Sequence, residues 1–395
     1  MEALILSCST GGGHNSAAHA IQKELNSRGW STTFFDPYSL RSQGMADRVG
    51  GAYVSLVRHA PKLFGFVYGI GAAYEAGERA FGWIDPVLAV QRKTALKLQN
   101  YLQTHPTDLI LCTHPYPALM VTWLKAHGHL VPPSIMIATD YTCIPFESDI
   151  RTDWMIVPAR QLVRVFNEHG MPKSKLLPLG IPVDPAFTHP KTKAQAARDL
   201  GLDPGCRYIL VGGGSMGVNF IWDVLDRIQP ILQDQPDLRV LVLCGTNTAL
   251  QKKIGALKQP SVSALPFTKK MPDYLALASL FITKPGGLSI TEAAASRTPL
   301  LLTEAIPGCE NANARFFEEQ GLAKYATDYN QLLPFTRQLL SKEYKANREM
   351  QEFIDGNTSR LADWCLCAAL MNPRPGCDEF QDGSIDRSSL LSNLK

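Results

Sequence analysis

Long apolar runs are missing from this chain of 395 residues. The longest uncharged, largely apolar stretch, Leu63 to Tyr74, falls short of the ~20 residues that span a bilayer. Met1-Glu2 leads straight into Ala3–Leu6 without a basic or apolar leader, so no secretory signal is expected. Charge of one sign is also scarce. With 39 Lys and Arg against 36 Asp and Glu the net charge is +3, too small to argue for a nucleic-acid partner. The nine cysteines are scattered, and the closest pair, Cys365 and Cys367, lacks both C-x-x-C and zinc-ligand spacing. A reducing, cytoplasmic compartment is expected. No Asp-x-Asp pair and no repeat of solenoid period occurs.

What is present is a series of short apolar runs that end in Gly, Pro, Asp or His and lead into helix-like patterns. They are Ala3–Ser7, Asp108–Cys112, Ile135–Ala138, Met155–Val157, Arg207–Val211, Arg239–Cys244, Leu280–Thr283 and Leu300–Leu302. Such alternation predicts an α/β chain of βαβ units with parallel sheets. Residues 179–190, rich in Gly, Pro and Asp, read as a linker. It divides the chain into two Rossmann-like domains, residues 1–178 and 191–371, expected to face each other across a cleft. Residues 372–395 are polar and aperiodic, and read as a flexible tail.

One insertion stands apart. From Arg41 to Lys97 there are eight Lys or Arg against four Asp or Glu, interleaved with Tyr53, Leu56, Leu63, Phe64, Phe66 and Tyr68. Basic residues among aromatics suit a segment lying on an anionic membrane. A helical subdomain packed on the N-terminal half reads the same composition, and from the residues alone that reading is slightly ahead.

Three glycine loops carry the chemistry. The first, Thr10-Gly11-Gly12-Gly13-His14-Asn15-Ser16, follows the opening strand and precedes a helix. Glycine lets backbone approach a ligand, and the helix start offers free N–H groups. His14 sits where open α/β sheets bind ligands, and its imidazole can serve as general base. Asp140, ending Ile135–Ala138, is the second acid/base candidate. His114, after Asp108–Cys112, either lines an acceptor pocket or fills space. The second loop, Gly212-Gly213-Gly214-Ser215-Met216-Gly217, satisfies G-x-G-x-x-G. The next strand ends in Cys244-Gly245-Thr246-Asn247, with no carboxylate for a nicotinamide cofactor's ribose. A diphosphate cradle is the better reading.

The third loop is Thr283-Lys284-Pro285-Gly286-Gly287-Leu288-Ser289-Ile290-Thr291-Glu292. A strand ends, two glycines turn the chain, and a helix begins whose positive end suits a diphosphate. Glu292 can accept from vicinal ribose hydroxyls or cap its own helix. Further on, Pro307-Gly308-Cys309-Glu310-Asn311-Ala312-Asn313 offers one acid and two amides, suited to sugar hydroxyls or to a helix cap.

Taken in order, Thr-Gly-Gly-Gly-His-Asn-Ser, Phe267-Thr268-Lys269-Lys270-Met271, the Lys-Pro-Gly-Gly…Thr-Glu block and Pro-Gly-Cys-Glu-Asn-Ala-Asn resemble the monogalactosyldiacylglycerol synthase and processive diacylglycerol glucosyltransferase family. The resemblance runs from about residue 3 to about residue 325. It implies a GT-B fold, with the lipid acceptor on the N-terminal half and the UDP-sugar on the C-terminal half. By motif match Phe267 falls at the uracil and Glu292 at the ribose, with Thr268, Ser289 and Thr291 also on the donor side. Gly214, Gly286 and Gly287 fall near the diphosphate, Ser215 also lies on the donor side, and Glu310, Asn311 and Asn313 fall near the donor sugar. His14 falls at the reaction centre, with Gly12, Gly13 and His114 on the acceptor side. The family's membrane-docking insertion favours the interfacial reading of residues 41–97, on the cytoplasmic face of the membrane. Two departures stand out: no histidine follows Thr139-Asp140, and Gly308-Cys309-Glu310 replaces Gly-Gln-Glu.

The expected reaction is one inverting displacement, with helix N-termini rather than an obligatory metal meeting the charge on the leaving UDP. UDP-sugar is then a co-substrate and no cofactor is required. Three readings compete. One is a GT-B transferase with a polyprenyl-linked or soluble acceptor, and another a non-catalytic UDP-sugar sensor. The third, a two-domain UDP-sugar epimerase, needs a pair of acid/base carboxylates and no lipid-binding insertion.

Overall fold

The computed structural model describes residues 1–8, 12–42, 44–48, 51, 86–213, 220–306, 308–341 and 344–371. The centre of the basic insertion, the polar tail and the loop carrying Gly214 and Ser215 lie outside the described residues.

The first unit holds a six-stranded parallel sheet of order β2-β1-β3-β4-β5-β6. Its strands are β1 Glu2–Leu6, β2 Ser31–Phe35, β3 Leu109–Cys112, β4 Ser134–Ile137, β5 Trp154–Ile156 and β6 Leu176–Leu177. Inner strands such as Leu109–Cys112 are buried along their whole length, as parallel strands covered on both faces must be. Helix α1 (Gly12–Ser27) follows β1 and buries Ala17, Ala18, Ile21 and Leu25, spaced three or four apart on one face. Helix α2 (Pro86–Thr104) ends the basic insertion. Its Gln91 is buried and accepts from the Tyr38 hydroxyl at 2.8 Å, while Val90, Arg92, Lys93, Leu96 and Lys97 are exposed. Helix α3 (Pro115–Ala126) follows β3, with His114 as its N-cap.

The second unit repeats the plan with order β12-β11-β10-β7-β8-β9. Here the strands are β7 Arg207–Gly212, β8 Leu238–Gly245, β9 Val262–Pro266, β10 Leu280–Thr283, β11 Leu300–Leu302 and β12 Ala323–Tyr325. Helix α4 (Ile221–Asp234) buries Ile221, Val224, Leu225, Ile228 and Ile231 against the core of β7, β8 and β10. Helices α5 (Gly287–Ala295) and α6 (Cys309–Glu319) follow β10 and β11.

All eight strands expected from sequence are present within a residue or two of their bounds. The four that sequence reasoning missed, β2, β6, β9 and β12, are the four sheet edges. An edge strand has one open side, so β2 reads Ser-Thr-Thr-Phe-Phe and β9 Val-Ser-Ala-Leu-Pro, without a continuous apolar run.

The chain divides between Asp184 and Pro185, inside the expected linker, but it divides again between Asp355 and Gly356. Helix α7 (Asn357–Met371) was assigned from sequence to the C-terminal domain and instead belongs to the first unit. Its Leu361, Ala362, Cys365, Ala368 and Ala369 complete the core made by Ile21, Leu25, Leu109 and Ile135. Asn357 Nδ2 donates to Ile181 O at 3.0 Å, and the Thr358 hydroxyl to Val183 O at 2.7 Å, which fastens the returning chain beside the departing one. The periodicity of 357–371 announces a helix but not whose core it fills.

Candidate active site

In open α/β sheets ligands bind beyond the carboxyl ends of the strands, where strand order reverses. In the first unit the reversal falls between β1 and β3. The residues following those strands lead to His14 and His114.

His14 lies in the first turn of α1, reached from β1 through the glycine loop. Its Nδ1 is 2.8 Å from the carbonyl oxygen of Thr113 and 2.9 Å from Thr139 Oγ1. A carbonyl only accepts, so Nδ1 carries the proton and the lone pair of the neutral ring sits on Nε2. Burial pulls the His14 pKa below its ordinary value of 6.5, partly offset by the nearby Asp140 carboxylate and the Thr113 bond. The result is an imidazole kept neutral at physiological pH with its basic nitrogen defined, as a general base requires.

His114 is the complementary tautomer. Its Nδ1 accepts the Tyr116 backbone N–H at 3.1 Å to cap α3, so the neutral ring's proton is on Nε2. The two rings meet edge to face at 4.5 Å, and burial, with repulsion from His14 whenever that ring is protonated, holds His114 well below 6.5. Of pocket lining and filler, the two readings of His114 from sequence, neither is singled out here: it is buried, a helix cap, and packed on His14. Gly12, exposed, opens α1, and the half-buried Gly13 follows.

In the second unit the order reverses between β7 and β10. Phe267, just past β9, is 55% exposed, which for a large aromatic has no packing cause. Beside it Thr268 Oγ1 accepts from Lys270 N at 3.0 Å and turns the chain. Gly286 is the N-cap of α5 with an ordinary φ of −69°, and a Cβ placed there would meet nothing within 4 Å. Neither backbone nor packing demands glycine there, so it leaves open space before the helix start. Ser289 and Glu292 are half-buried on α5.

Several expected ligands turn inward. The Thr291 hydroxyl is fully buried and donates to Gly287 O at 2.6 Å, so it braces the helix. Asn313 is fully buried, and its Nδ2 donates to Pro285 O at 3.0 Å, pinning the glycine loop. Asn311 Oδ1 takes the Tyr325 hydroxyl at 2.8 Å. Glu310 Oε2 accepts from Ile306 N at 2.8 Å and lies 3.3 Å from Lys284 Nζ. Sequence reasoning assigned no role to Thr139, the Thr113 carbonyl or Lys284. The last stood within the motif; the others meet His14 only through the fold.

Two six-stranded parallel Rossmann-like units are the GT-B architecture. The chain matches the MurG of Acinetobacter baumannii with a TM-score of 0.59 at 17% identity, over 93% of this chain and 99% of that one. It matches a UDP-GlcNAc 2-epimerase of Neisseria meningitidis, bound to UDP-GlcNAc, with a TM-score of 0.56 at 13% identity over 93% and 100%. A family model for monogalactosyldiacylglycerol (MGDG) synthase covers residues 14–183, and one for the glycosyltransferase family 28 C-terminal domain covers residues 208–361. A processive diacylglycerol beta-glucosyltransferase of Staphylococcus saprophyticus is 30% identical over 285 residues, 70% of each chain. This chain belongs to the monogalactosyldiacylglycerol synthase and processive diacylglycerol glucosyltransferase family.

Proposed function

We propose that this glycosyltransferase moves a hexose from a UDP-sugar to diacylglycerol or a closely related lipid, with inversion at the anomeric carbon. The observation that carries the reading is His14, a half-buried imidazole whose Nδ1 donates to the Thr113 carbonyl and whose Nε2 therefore keeps the lone pair that a base needs. The lipid acceptor is supported by the name of the Staphylococcus saprophyticus relative, and the nucleotide donor by the UDP-GlcNAc of the neisserial neighbour.

In the reaction Nε2 of His14 takes the acceptor hydroxyl proton as its oxygen attacks C1, and UDP departs from the opposite face. Phe267 stacks on the uracil, Glu292 accepts from the ribose, and the α5 N-terminus receives the diphosphate. Asp140 supports the imidazolium that forms. No resident metal takes part, because the chain has no Asp-x-Asp pair to hold one at the diphosphate. The exposed face of α2, with Arg92, Lys93 and Lys97 beside Val90 and Leu96, adjoins the segment that meets an anionic membrane.

The test is UDP release from UDP-glucose and UDP-galactose, with and without diacylglycerol in anionic liposomes, in buffer containing a chelator. Release that requires diacylglycerol and survives chelation is expected. Release that is indifferent to lipid contradicts the acceptor, and release abolished by chelation contradicts the metal-free mechanism.

A further inference from the structure

We propose that Tyr329 and Glu304 are positioning residues of this reaction: the tyrosine hydroxyl clamps the loop after β11 in a strained form that shapes the seat of the donor's hexose. The inference rests on the UDP-sugar reading above and adds to it two residues that hold the loop without touching the ligand.

The chain leaves β11 in a conformation its residues do not favour. Glu304 has φ +53°, in the left-handed region where a Cβ is crowded by the backbone. Further along the same connection, Gly308 has φ +104° and ψ −120°, a shape that suits glycine and hardly any other residue. Unfavourable backbone of this kind persists only where the surroundings impose it.

The neighbouring edge strand, β12, and the turn after it impose this one. Tyr329 opens that turn, whose shape is fixed by its own side chains. Asp328 Oδ1 accepts from Asn330 N at 2.6 Å, and Gln331 Oε1 from Thr327 N at 2.8 Å. The half-buried Tyr329 ring packs on the core of the second unit, and its hydroxyl donates to the Glu304 carboxylate. Burial and the Glu304 charge raise the Tyr329 pKa above its ordinary value of 10.0, so the hydroxyl keeps the proton it donates. Tyr325, ending β12, grips the far end of the same loop, its hydroxyl donating to Asn311 Oδ1 at 2.8 Å. Between the two, Glu310 Oε2 takes the Ile306 N–H at 2.8 Å.

The clamp contributes little to folding. Glu304 is exposed, so its bond replaces one to water, and the left-handed backbone works against it. Strain kept at the carboxyl end of a strand, where open α/β sheets bind ligands, points to shape as its purpose. The sheet order shows which part of the donor that shape meets. Phe267 follows β9 at one edge, the β10–α5 turn lies inside, and the clamped loop follows β11 toward the other edge. A donor with its uracil at Phe267 and its diphosphate before α5 therefore brings its hexose to the loop after β11. Carboxylate and amide oxygens there suit sugar hydroxyls, and their placement decides which hydroxyl configuration fits.

The experiment measures kcat and KM for UDP-glucose and UDP-galactose on the full chain and three variants, with UDP affinity by calorimetry and thermal midpoints alongside. Tyr329→Phe removes the hydroxyl alone. Its kcat/KM for the preferred donor should fall about 10-fold and its preference between donors about 3-fold, with UDP affinity within about 2-fold. Glu304→Gln still offers an oxygen to Tyr329 and should keep kcat/KM within about 3-fold of the wild type. Tyr329→Phe with Glu304→Gly lacks both clamp and strain. It should melt no lower than Tyr329→Phe, yet recover none of the lost kcat/KM. Wild-type kcat/KM and donor preference in Tyr329→Phe, or a rate that returns with stability in the double variant, overturn the positioning role. So does a loss of UDP affinity as large as the loss of kcat/KM, which would mean that the second unit is disturbed as a whole. A wild-type chain that binds no UDP overturns the donor reading itself, and this inference with it.

Discussion

Replacing Gly180 by alanine tests how the two passes of the chain through residues 180–184 and 356–358 are fastened in the first unit. Gly180 has φ +88°, and a Cβ there would stand 2.1 Å from Asn357 side-chain atoms. Asn357 is fully buried, donates to Ile181 O at 3.0 Å and accepts from Arg360 Nη2 at 2.7 Å. It cannot step aside without losing both bonds. The left-handed backbone costs a residue with a Cβ about 1–2 kcal/mol. A buried carbonyl left without its donor costs about 1–3 kcal/mol, and the Arg360 bond adds about 1 kcal/mol. The sum is about 3–6 kcal/mol, a large part of the ~5–15 kcal/mol that holds a domain together. With a urea slope of about 2 kcal/mol per molar, the midpoint of the first unit's unfolding transition should fall by roughly 1.5–3 M. Urea titration followed by tryptophan fluorescence, with Trp154 and Trp364 at 5.9 Å as reporters in that unit, measures it. Because clash and lost bonds share one side chain, Gly180→Ala combined with Asn357→Ala should be less damaging than the sum of the two. A Gly180→Ala midpoint within about 0.5 M of wild type, against an m of this size, refutes the reasoning.

Three further predictions concern the site. Asp140 raises the His14 pKa against the burial that lowers it, so Asp140→Asn lets it fall further. The acid limb of kcat/KM should then move to lower pH, by roughly one unit for a close carboxylate at intermediate dielectric, and an upward shift contradicts the assignment. Thr139→Val removes the hydroxyl at His14 Nδ1 and should cut kcat about 10-fold with KM little changed, while Thr139→Ser restores most of it; equal rates for Val and Ser deny Thr139 a positioning role. Phe267→Ala should leave stability within about 0.5 kcal/mol, because the ring is exposed, yet weaken uridine binding by ~10-fold or more in a calorimetric titration.

The two Rossmann-like units could be read from the sequence because inner parallel strands are apolar from end to end and close on glycine. The edges could not, since Ser31–Phe35 and Ala323–Tyr325 have too little continuous apolar pattern to distinguish them from loop. At the candidate site, His14, Phe267 and Gly286 stand out in the sequence because a histidine beside glycines, an aromatic after a strand and a glycine pair before a helix are locally unusual. Thr291 and Asn313 show the limit of a local reading. A polar residue in a helix that opens a binding loop reads alike whether it faces a ligand or braces the loop, and only packing separates the two. Thr139 meets His14 across 125 residues of chain, a contact that no local pattern encodes.

The most direct test of the account is the turnover of His14→Ala alongside its affinity for UDP. If Nε2 of His14 is the base of the first unit and UDP is held by the second, kcat falls by about 100- to 10,000-fold while UDP binding is unchanged. Turnover at the wild-type rate would remove His14 from the mechanism and contradict the account.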